Sequence, residues 1–449
     1  MQFELTKEFL EEIREMIEQG NSAYIESQIV PLHPADIAEI MDELDADEAK
    51  FIYTQLDNEL QGEVLMELDD EVRYRFVETL NPSQLAHQLE NLDSDDAVDI
   101  LGELPVDRQL EVIAEMDNED AAELVDLLNY DENSAGGLMQ TEFIKAKLDW
   151  PVNRCVIELR RQAEDVEKVY TIYVVDNDDH LVGFLSLKSL LFAKSNTLIK
   201  DIYQDKNMVY VTTNVEGEEV ARIMDKYDLV SIPVLDLQKK LVGRITIDDI
   251  VDVIREEADK DFQMASGISE SVESNASIWR MSRSRMPWLL IGLLGGILGA
   301  QVIGNFESQI GKIPSLAFFI PLVAAMGGNV GVQSSAIVVQ SIANGTNQFG
   351  SILSKVKKEA TLGLLNGLIF GVIIFFTTWL LEDIMLGVSV SIALFIVICF
   401  AAIFGTLIPL ILNKYNVDPA VATGPFITTL NDVVGLFIYF IVGITVFSI

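Results

Sequence analysis

Beyond Arg280 this chain stops being written for water. Of its 31 Lys and Arg and 70 Asp and Glu, only 8 bases and 6 acids lie from Arg280 to the C-terminus. The 279 residues before it carry 23 bases and 64 acids, a charge of −41, while the remainder is +2. In the second part, apolar stretches run near 287–305, 314–343, 360–381, 384–412 and 419–449. Each supplies the roughly 20 apolar residues that a helix needs to cross a bilayer. The expectation is a five-helix membrane domain behind a soluble half large enough to bury its own cores, with two to four domains in all.

Flanking charge sets the orientation. Arg280, Arg283 and Arg285 precede the first span, Lys355, Lys357 and Lys358 lie between the second and third, and Lys414 lies between the fourth and fifth. Glu382 and Asp383 lie between the third and fourth. The positive-inside rule then predicts a multi-pass protein of the inner (plasma) membrane, its N-terminal half in the cytosol and its C-terminus outside. The opening residues form an acidic amphipathic stretch without a signal-peptide pattern, in keeping with that orientation. So acidic a soluble half excludes nucleic acid as a partner, stays off anionic lipid and collects divalent cations. A halophile's general acidity is the alternative source of the same charge. Cys155 and Cys399 read as unpaired thiols, and His33, His87 and His180 show no zinc spacing.

Within the soluble half, apolar residues recur every twelve positions, from Leu32, Leu44, Leu56 and Leu68 through Leu80, Leu92 and Leu104 to Met116 and Leu128. The next residue is usually a helix-capping type: Asp45, Asp57, Asp69, Asn81, Asp93, Asp117. Apolar pairs eight and nine places on, such as Ile40/Met41, Ile52/Tyr53 and Val64/Leu65, predict stacked two-turn helices forming a superhelix. Capping accounts for part of the acid content here.

A duplication follows. Ile172-Tyr173-Val174-Val175-Asp176 and Leu181-Val182-Gly183-Phe184-Leu185-Ser186 return 60 residues later as Ile232-Pro233-Val234-Leu235-Asp236 and Leu241-Val242-Gly243-Arg244-Ile245-Thr246. Each copy predicts strand, turn, strand and a helix opened by Ser186 or Thr246. The repeat resembles a pair of CBS modules, which implies modules that pack together and an adenine nucleotide as a ligand. Asp249 of Gly243-x-x-Thr246-x-x-Asp249 suits a ribose, whereas the first copy has Ser189 at the matching place. Two modules that only dimerise are the alternative. Helical periodicity over Ile250–Ala258 then gives way to a polar connector around Gly267.

Asp432 is the only charged side chain within 419–449. An Asp at the centre of a membrane helix costs roughly 2.5 to 3.5 kcal/mol on insertion scales, so it faces a bundle interior or a water-filled path. That points to an ion or substrate site; the alternative is an Asp satisfied by hydroxyls such as those of Thr428 and Thr429. The second span holds Met326-Gly327-Gly328-Asn329-Val330-Gly331-Val332-Gln333-Ser334-Ser335. Its small residues permit close backbone approach, as in plain helix packing, and its polar ones are costly against lipid. The fifth span holds Asp418-Pro419-Ala420, Gly424-Pro425 and Thr428-Thr429-Leu430-Asn431-Asp432. Interrupted helices with polar groups at membrane depth mark transport pathways. Asp418 before Pro419 also reads as an N-cap with Pro at the first helical position.

The order of helical repeat, CBS pair, linker helix and five spans, with Gly-Gly-Asn-Val-Gly-Val-Gln in the second span and Asp-Pro-Ala and Leu-Asn-Asp in the fifth, closely resembles the MgtE family of magnesium channels over essentially the whole chain. The expected fold is therefore multidomain: an all-α short-repeat superhelix (1–135), an α/β tandem CBS pair (136–255), a linker or plug helix with its connector (256–279) and a five-helix α membrane domain (280–449). The resemblance implies a homodimer with a pore on the two-fold axis, lined by spans 2 and 5 with Gly327, Gly328, Asn329 and Asp432. Asp432 matches the family's pore carboxylate, with Thr428 one turn earlier and Asp418 near the cytosolic mouth. Mg²⁺ usually keeps several waters and takes one or two carboxylates, which suits one acid from each protomer.

The resemblance also implies regulatory Mg²⁺ between the cytosolic domains. It carries over Glu63, Asp95 and Asp99 from the helical domain and Gly137 as a backbone ligand. Glu216, Glu218, Asp228, Asp249 and Asp252 come from the CBS side, and Glu257 and Asp261 from the linker helix. Lys260 stands where relatives carry an acid, and Asp249 is claimed by both the nucleotide and the metal. The implied function is Mg²⁺ uptake closed by cytosolic Mg²⁺. A Na⁺- or H⁺-coupled divalent-cation exchanger and a membrane-anchored ligand sensor that transports nothing remain as alternatives. No catalytic constellation and no P-loop is present, so neither an enzyme nor an ATP-driven pump is expected.

Overall fold

The computed structural model describes residues 3–163, 166, 168–269, 277–343, 352–415, 417–422 and 424–447. It consists of two compact units, Met1–Arg255 and Glu256–Ile449. In the first, α1 (Lys7–Glu18) and α2 (Ser22–Gln28) precede α3 (Pro34–Asp42), α4 (Ala46–Tyr53), α5 (Asn58–Glu67), α6 (Asp70–Val77), α7 (Pro82–Leu89), α8 (Ser94–Glu103), α9 (Val106–Ile113) and α10 (Asn118–Leu127). Helices this short are marginal alone and persist by burying a shared stripe. Alternate helices stack: α3 on α5, α5 on α7 and α7 on α9 make one row, and α4 packs on α6 and α8 on α10. One twelve-residue unit is thus one helix, and the repeat in space is a pair of them. Ile40, Met41, Ile52, Val64, Leu65, Ile100 and Leu101 are all buried, as the periodicity predicts.

Capping is less uniform than expected. Asp45 and Asn81 form capping boxes and Asp57 accepts from the Leu60 N–H at 3.0 Å. Asp69, Asp93 and Asp117 stand at N-cap positions but make no capping bond. For α8 the cap comes from a distant residue: Glu142 accepts from the Ser94 N–H at 3.1 Å and from its hydroxyl at 2.9 Å. The acid at Asp93 is therefore not explained by capping.

The duplicated segments form twin sheets. β1 (Ile144–Lys147) lies parallel to β2 (Ile172–Val175), which is antiparallel to β3 (Leu181–Leu185). β4 (Val211–Thr212), β5 (Ser231–Leu235) and β6 (Leu241–Thr246) repeat the order, with the register shift at the equivalent place. α11 (Val152–Gln162) and α13 (Gly217–Tyr227) cross over between the parallel strands. Ser186 caps α12 (Leu187–Phe192), as its position predicts. The histidines take structural roles: His33 caps α3, His87 Nε2 lies 3.0 Å from Asn58 Nδ2, and His180 Nδ1 lies 3.1 Å from Asp176. Both cysteines are free.

The linker helix is longer than the sequence pattern alone predicts. α14 (Ile247–Ala265) starts within the first unit and continues into the second; residues 270–276 of the expected connector lie outside the described residues. The spans are α15 (Ile278–Asn305), then, after α16 (Glu307–Lys312) and a 3₁₀ turn at Pro314–Phe319, α17 (Ile320–Ala343), α18 (Ile352–Leu381), α19 (Ile384–Lys414) and α20 (Pro425–Phe447). All five are long and apolar enough to cross a membrane. α15 and α18 begin earlier than expected, so Arg280, Arg283, Arg285, Lys355, Lys357 and Lys358 ride on helices rather than in loops. α20 begins later, after a separate 3₁₀ turn at Pro419–Ala422. α19 packs against α17, α18 and α20, and α15 against α20.

Candidate cation sites

In the membrane domain a side chain not expected as a site residue sets the geometry. Asn431 is 1% exposed and donates through Nδ2 to the Gly327 carbonyl at 3.3 Å, pinning α20 to α17. The next residue, Asp432, is thereby laid over Gly328. A Cβ at Gly328 would lie 3.1 Å from Thr428 Cγ2, a tight approach, and 3.5 Å from Asp432 Oδ1, an ordinary contact, so the glycine makes room for Thr428 and lies directly beside the carboxylate. The Thr428 hydroxyl donates to the Gly424 carbonyl at 3.0 Å and the Thr429 methyl packs at Gly295. Neither satisfies Asp432, which has no side-chain hydrogen bond or ion pair among the described residues. Asn329 and Gln333, one turn apart on α17, are exposed. Polar side chains at membrane depth do not face lipid, so this stripe belongs to a water path or a protein contact.

Glu359 is a second buried polar residue that the sequence pattern does not single out. It is 9% exposed and accepts from the Ser334 hydroxyl at 3.0 Å, joining α18 to α17. In sequence it follows Lys357 and Lys358 and precedes the expected span by one residue, so it reads as part of a basic loop. Only the partner on another helix reveals it.

A second group gathers where α14 ends. Asp418 Oδ1 accepts from the Ala420 N–H at 2.8 Å, the N-cap arrangement expected before Pro419. Lys260 Nζ reaches Glu257 at 2.9 Å. That bond, followed by the charges of Glu257 and Asp418 against a partly buried setting, holds the ammonium above its ordinary value. Burial first, then Asp418 and Glu257, push the Asp261 carboxyl up. Gly424 (φ +51°) abuts the Ala265 carbonyl, and a Cβ at Gly267 (φ +82°) would lie 2.7 Å from Pro425 Cγ. A side chain at either glycine would unseat α14 from the start of α20.

In the soluble half, α8 brings Asp93, Asp95 and Asp96 to a cavity of about 80 Å³ that Asp249 closes from α14. Asp95 is 6% exposed and receives Gln140 Nε2 at 3.1 Å. Gln140 is itself held by Arg244 Nε at 2.7 Å. Asp249 Oδ2 accepts from the Thr246 N–H at 3.1 Å and from its hydroxyl at 2.5 Å. Burial, then the charges of Asp249 and Asp96, raise the Asp95 carboxyl well above the usual range. Burial, then Asp249, pushes Asp96 up to about 7. Burial, then Glu132, pushes Asp99 up to about 7. Arg244 and Lys168 also line the cavity, and Lys168 lies 3.6 Å from Asp248; the acids outnumber these two cations, and like charges this close and this dry call for a proton or a further cation.

The remaining expected ligands are not drawn into this cavity. Glu63, Glu216, Glu218, Asp228 and Asp252 are exposed. Asp228 is the left-handed C-cap of α13 at φ 51°. Gly137 lies against the backbone of Asp131 and Glu132, with no room for a side chain.

Family models match the chain in order. The MgtE intracellular N domain matches residues 32–133, the CBS domain matches 135–196 and 199–256, and MgtE, described as a divalent cation transporter, matches 320–442. The magnesium transporter MgtE of Enterococcus faecalis is 35% identical over 314 residues, covering 70% of this chain and 69% of its own. The chain belongs to the MgtE family. MgtE of Thermus thermophilus is 35% identical over 312 residues, 69% of each chain. A solved cytosolic domain of the Mg²⁺ channel MgtE in complex with ATP is 35% identical with a TM-score of 0.51, covering 54% of this chain and 99% of its own. As an MgtE-family chain with five apolar helices, this is a multi-pass membrane protein of a transporter family rather than an enzyme.

Proposed function

We propose that the chain is a homodimeric Mg²⁺ channel for magnesium uptake, closed when cytosolic Mg²⁺ loads its acidic soluble half. Asp432 carries this reading: a carboxylate without a partner among the described residues, laid over Gly328 on a membrane helix. Paired with its copy across a two-fold axis, it offers two carboxylates to an ion that keeps its water. Exposed Asn329 and half-buried Thr428 supply hydrogen-bonding walls, and Gly327 and Gly328 keep α17 slim beside α20. The distribution of Arg and Lys supports a cytosolic soluble half and an outer C-terminus.

Gating follows from charge. Without cation, Asp95, Asp96, Asp99 and Asp249 repel one another; a bound Mg²⁺ favours the arrangement that gathers them, and only that difference in affinity moves the equilibrium. Glu257, Asp261 and Asp418 form the corresponding group at the end of α14, where Lys260 already supplies one positive charge. Glu63, Gly137, Glu216, Glu218, Asp228 and Asp252 are assigned to cation sites completed by another domain or the second copy. The ATP complex of the MgtE relative supports an adenine nucleotide at the CBS pair. We assign Asp249 to the cation, because the cavity of about 80 Å³ it shares with four further carboxylates is far below the ~300 Å³ at which small-molecule pockets begin.

The test is Mg²⁺ flux into liposomes carrying the full chain or Asp432→Asn. Flux should collapse in the variant, persist in the parent without a Na⁺ or H⁺ gradient, and exceed a carrier's turnover in single-channel recordings. Equal flux from both proteins would overturn the reading.

A further inference from the structure

We propose that a groove on the first membrane span holds one anionic phospholipid of the cytosolic leaflet. The groove measures about 660 Å³ and is lined by Arg285, Trp288, Gly292 and Leu293 of α15, with Gly267 and Pro425 beside them. That volume lies within the range of small-molecule sites. Because α15 is a membrane span, acyl chains are the default filling of its outward surface.

Charge makes the site selective. Arg285 is exposed, as are Arg280 and Arg283 before it, and none of the three side chains makes a hydrogen bond or ion pair among the described residues. A guanidinium matches a phosphate oxygen pair, and basic pockets at the cytosolic ends of membrane helices collect anionic headgroups. The soluble half, at −41, repels such lipids, so their attraction concentrates on the basic helix ends. Trp288 is 9% exposed and lends the groove the flat side of a large, nearly buried aromatic residue. A Cβ at Gly292 would meet nothing within 4 Å, which leaves a bed for a chain. A second copy is the weaker occupant: an isologous contact buries the same patch of both protomers and would gather two sets of these three arginines into one interface.

The lipid would touch three elements at once. The groove includes the place where Gly267 abuts Pro425, next to Ser269, which donates from N at 3.0 Å and from Oγ at 2.7 Å to the Ser284 carbonyl. A bound lipid therefore braces the end of α14 against α15 and α20. Its consequence for flux, a larger closed fraction at a given Mg²⁺, rests on the proposed gating.

Native mass spectrometry of the full chain with phosphatidylglycerol or phosphatidylcholine tests the site without any flux measurement. The expected result is one phosphatidylglycerol retained per protomer and no phosphatidylcholine. Arg285→Gln should weaken retention about fivefold, the effect of one basic residue near an anionic surface, and Arg285→Lys should weaken it less. Gly292→Leu, which fills open space, should abolish retention while the melting temperature in detergent holds. Glycerophosphate without acyl chains should not compete. Equal retention of both lipids, insensitivity to Arg285→Gln and Gly292→Leu, or displacement by glycerophosphate overturns the lipid site. So does a Gly292→Leu protein whose change is in dimer dissociation, which would make the groove a seat for the second copy. Any of these leaves the channel reading standing.

Discussion

Asp249 and Asp432 are both carboxylates on helices, yet their surroundings differ in kind. Asp249 is held by two bonds from Thr246 and shares a buried cavity with Asp93, Asp95 and Asp96. Asp432 stands without a partner among the described residues, beside a glycine, and its anchor is the neighbouring Asn431. In the soluble cluster, several charges would share the proposed cation, and the cost of leaving them bare is high. That suits a sensor, whose arrangement depends on whether the ion is present. In the membrane, the proposed pairing of two copies would set one charge per protomer at the ion path, enough to attract an ion without trapping it, as conduction requires.

The largest effect that could break this contrast is at Asp432. Asp432→Asn is expected to lower Mg²⁺ flux more than about tenfold, since it removes the one charge that offsets an ion's desolvation at that depth. Mg²⁺-dependent protection of the soluble half from proteolysis should be unchanged. If protection is lost too, the two sites are not separable.

Asp95→Asn should do the reverse. Removing one buried like charge should stabilise the Mg²⁺-free protein by about 2 kcal/mol, by analogy with other buried unpaired charges. The Mg²⁺ needed for half-maximal protection should rise, while flux at low cytosolic Mg²⁺ persists. Thermal melts in chelator and in Mg²⁺ separate these outcomes.

Protonation sharpens the comparison further. Asp96 and Asp99 are raised from 3.8 to about 7, so between those values the folded protein holds protons that the unfolded chain has released. The stability of the Mg²⁺-free soluble half should therefore fall as pH rises through that window and level off above it. Mg²⁺ replaces the protons, so it should stabilise more at pH 8 than at pH 6. A melting series at the two values, with and without Mg²⁺, checks the sign. The smallest effect belongs to Lys260→Gln. Its pair with Glu257 is partly exposed, and such pairs contribute about 1 kcal/mol or less. Mg²⁺ should then close the channel at a modestly lower concentration.

Much of this was legible beforehand. The twelve-residue period, the duplicated strands and the five spans are local patterns, because a helix or strand facing one solvent repeats its apolar residues at its own pitch. Asp432 stood out because a lone charge in an apolar run is costly wherever the run folds. Other features could not be read. β1 and β4 are short strands defined by their neighbours. Asp93 reads as a cap along the chain, yet in the fold Glu142 caps α8 instead. Glu359 reads as loop along the chain, yet in the fold it sits on a helix against Ser334.

Thus the sequence by itself determined which segments lie in water and which in lipid, the element types, and the residue chemistry worth following. These depend on composition and period along the chain. Only the tertiary structure decided the pairings: Asn431 with Gly327, Gln140 with Asp95 and Arg244, and Asp249 with the acids of α8. Those partners are far apart in sequence, and which faces meet is set by how whole helices and sheets pack.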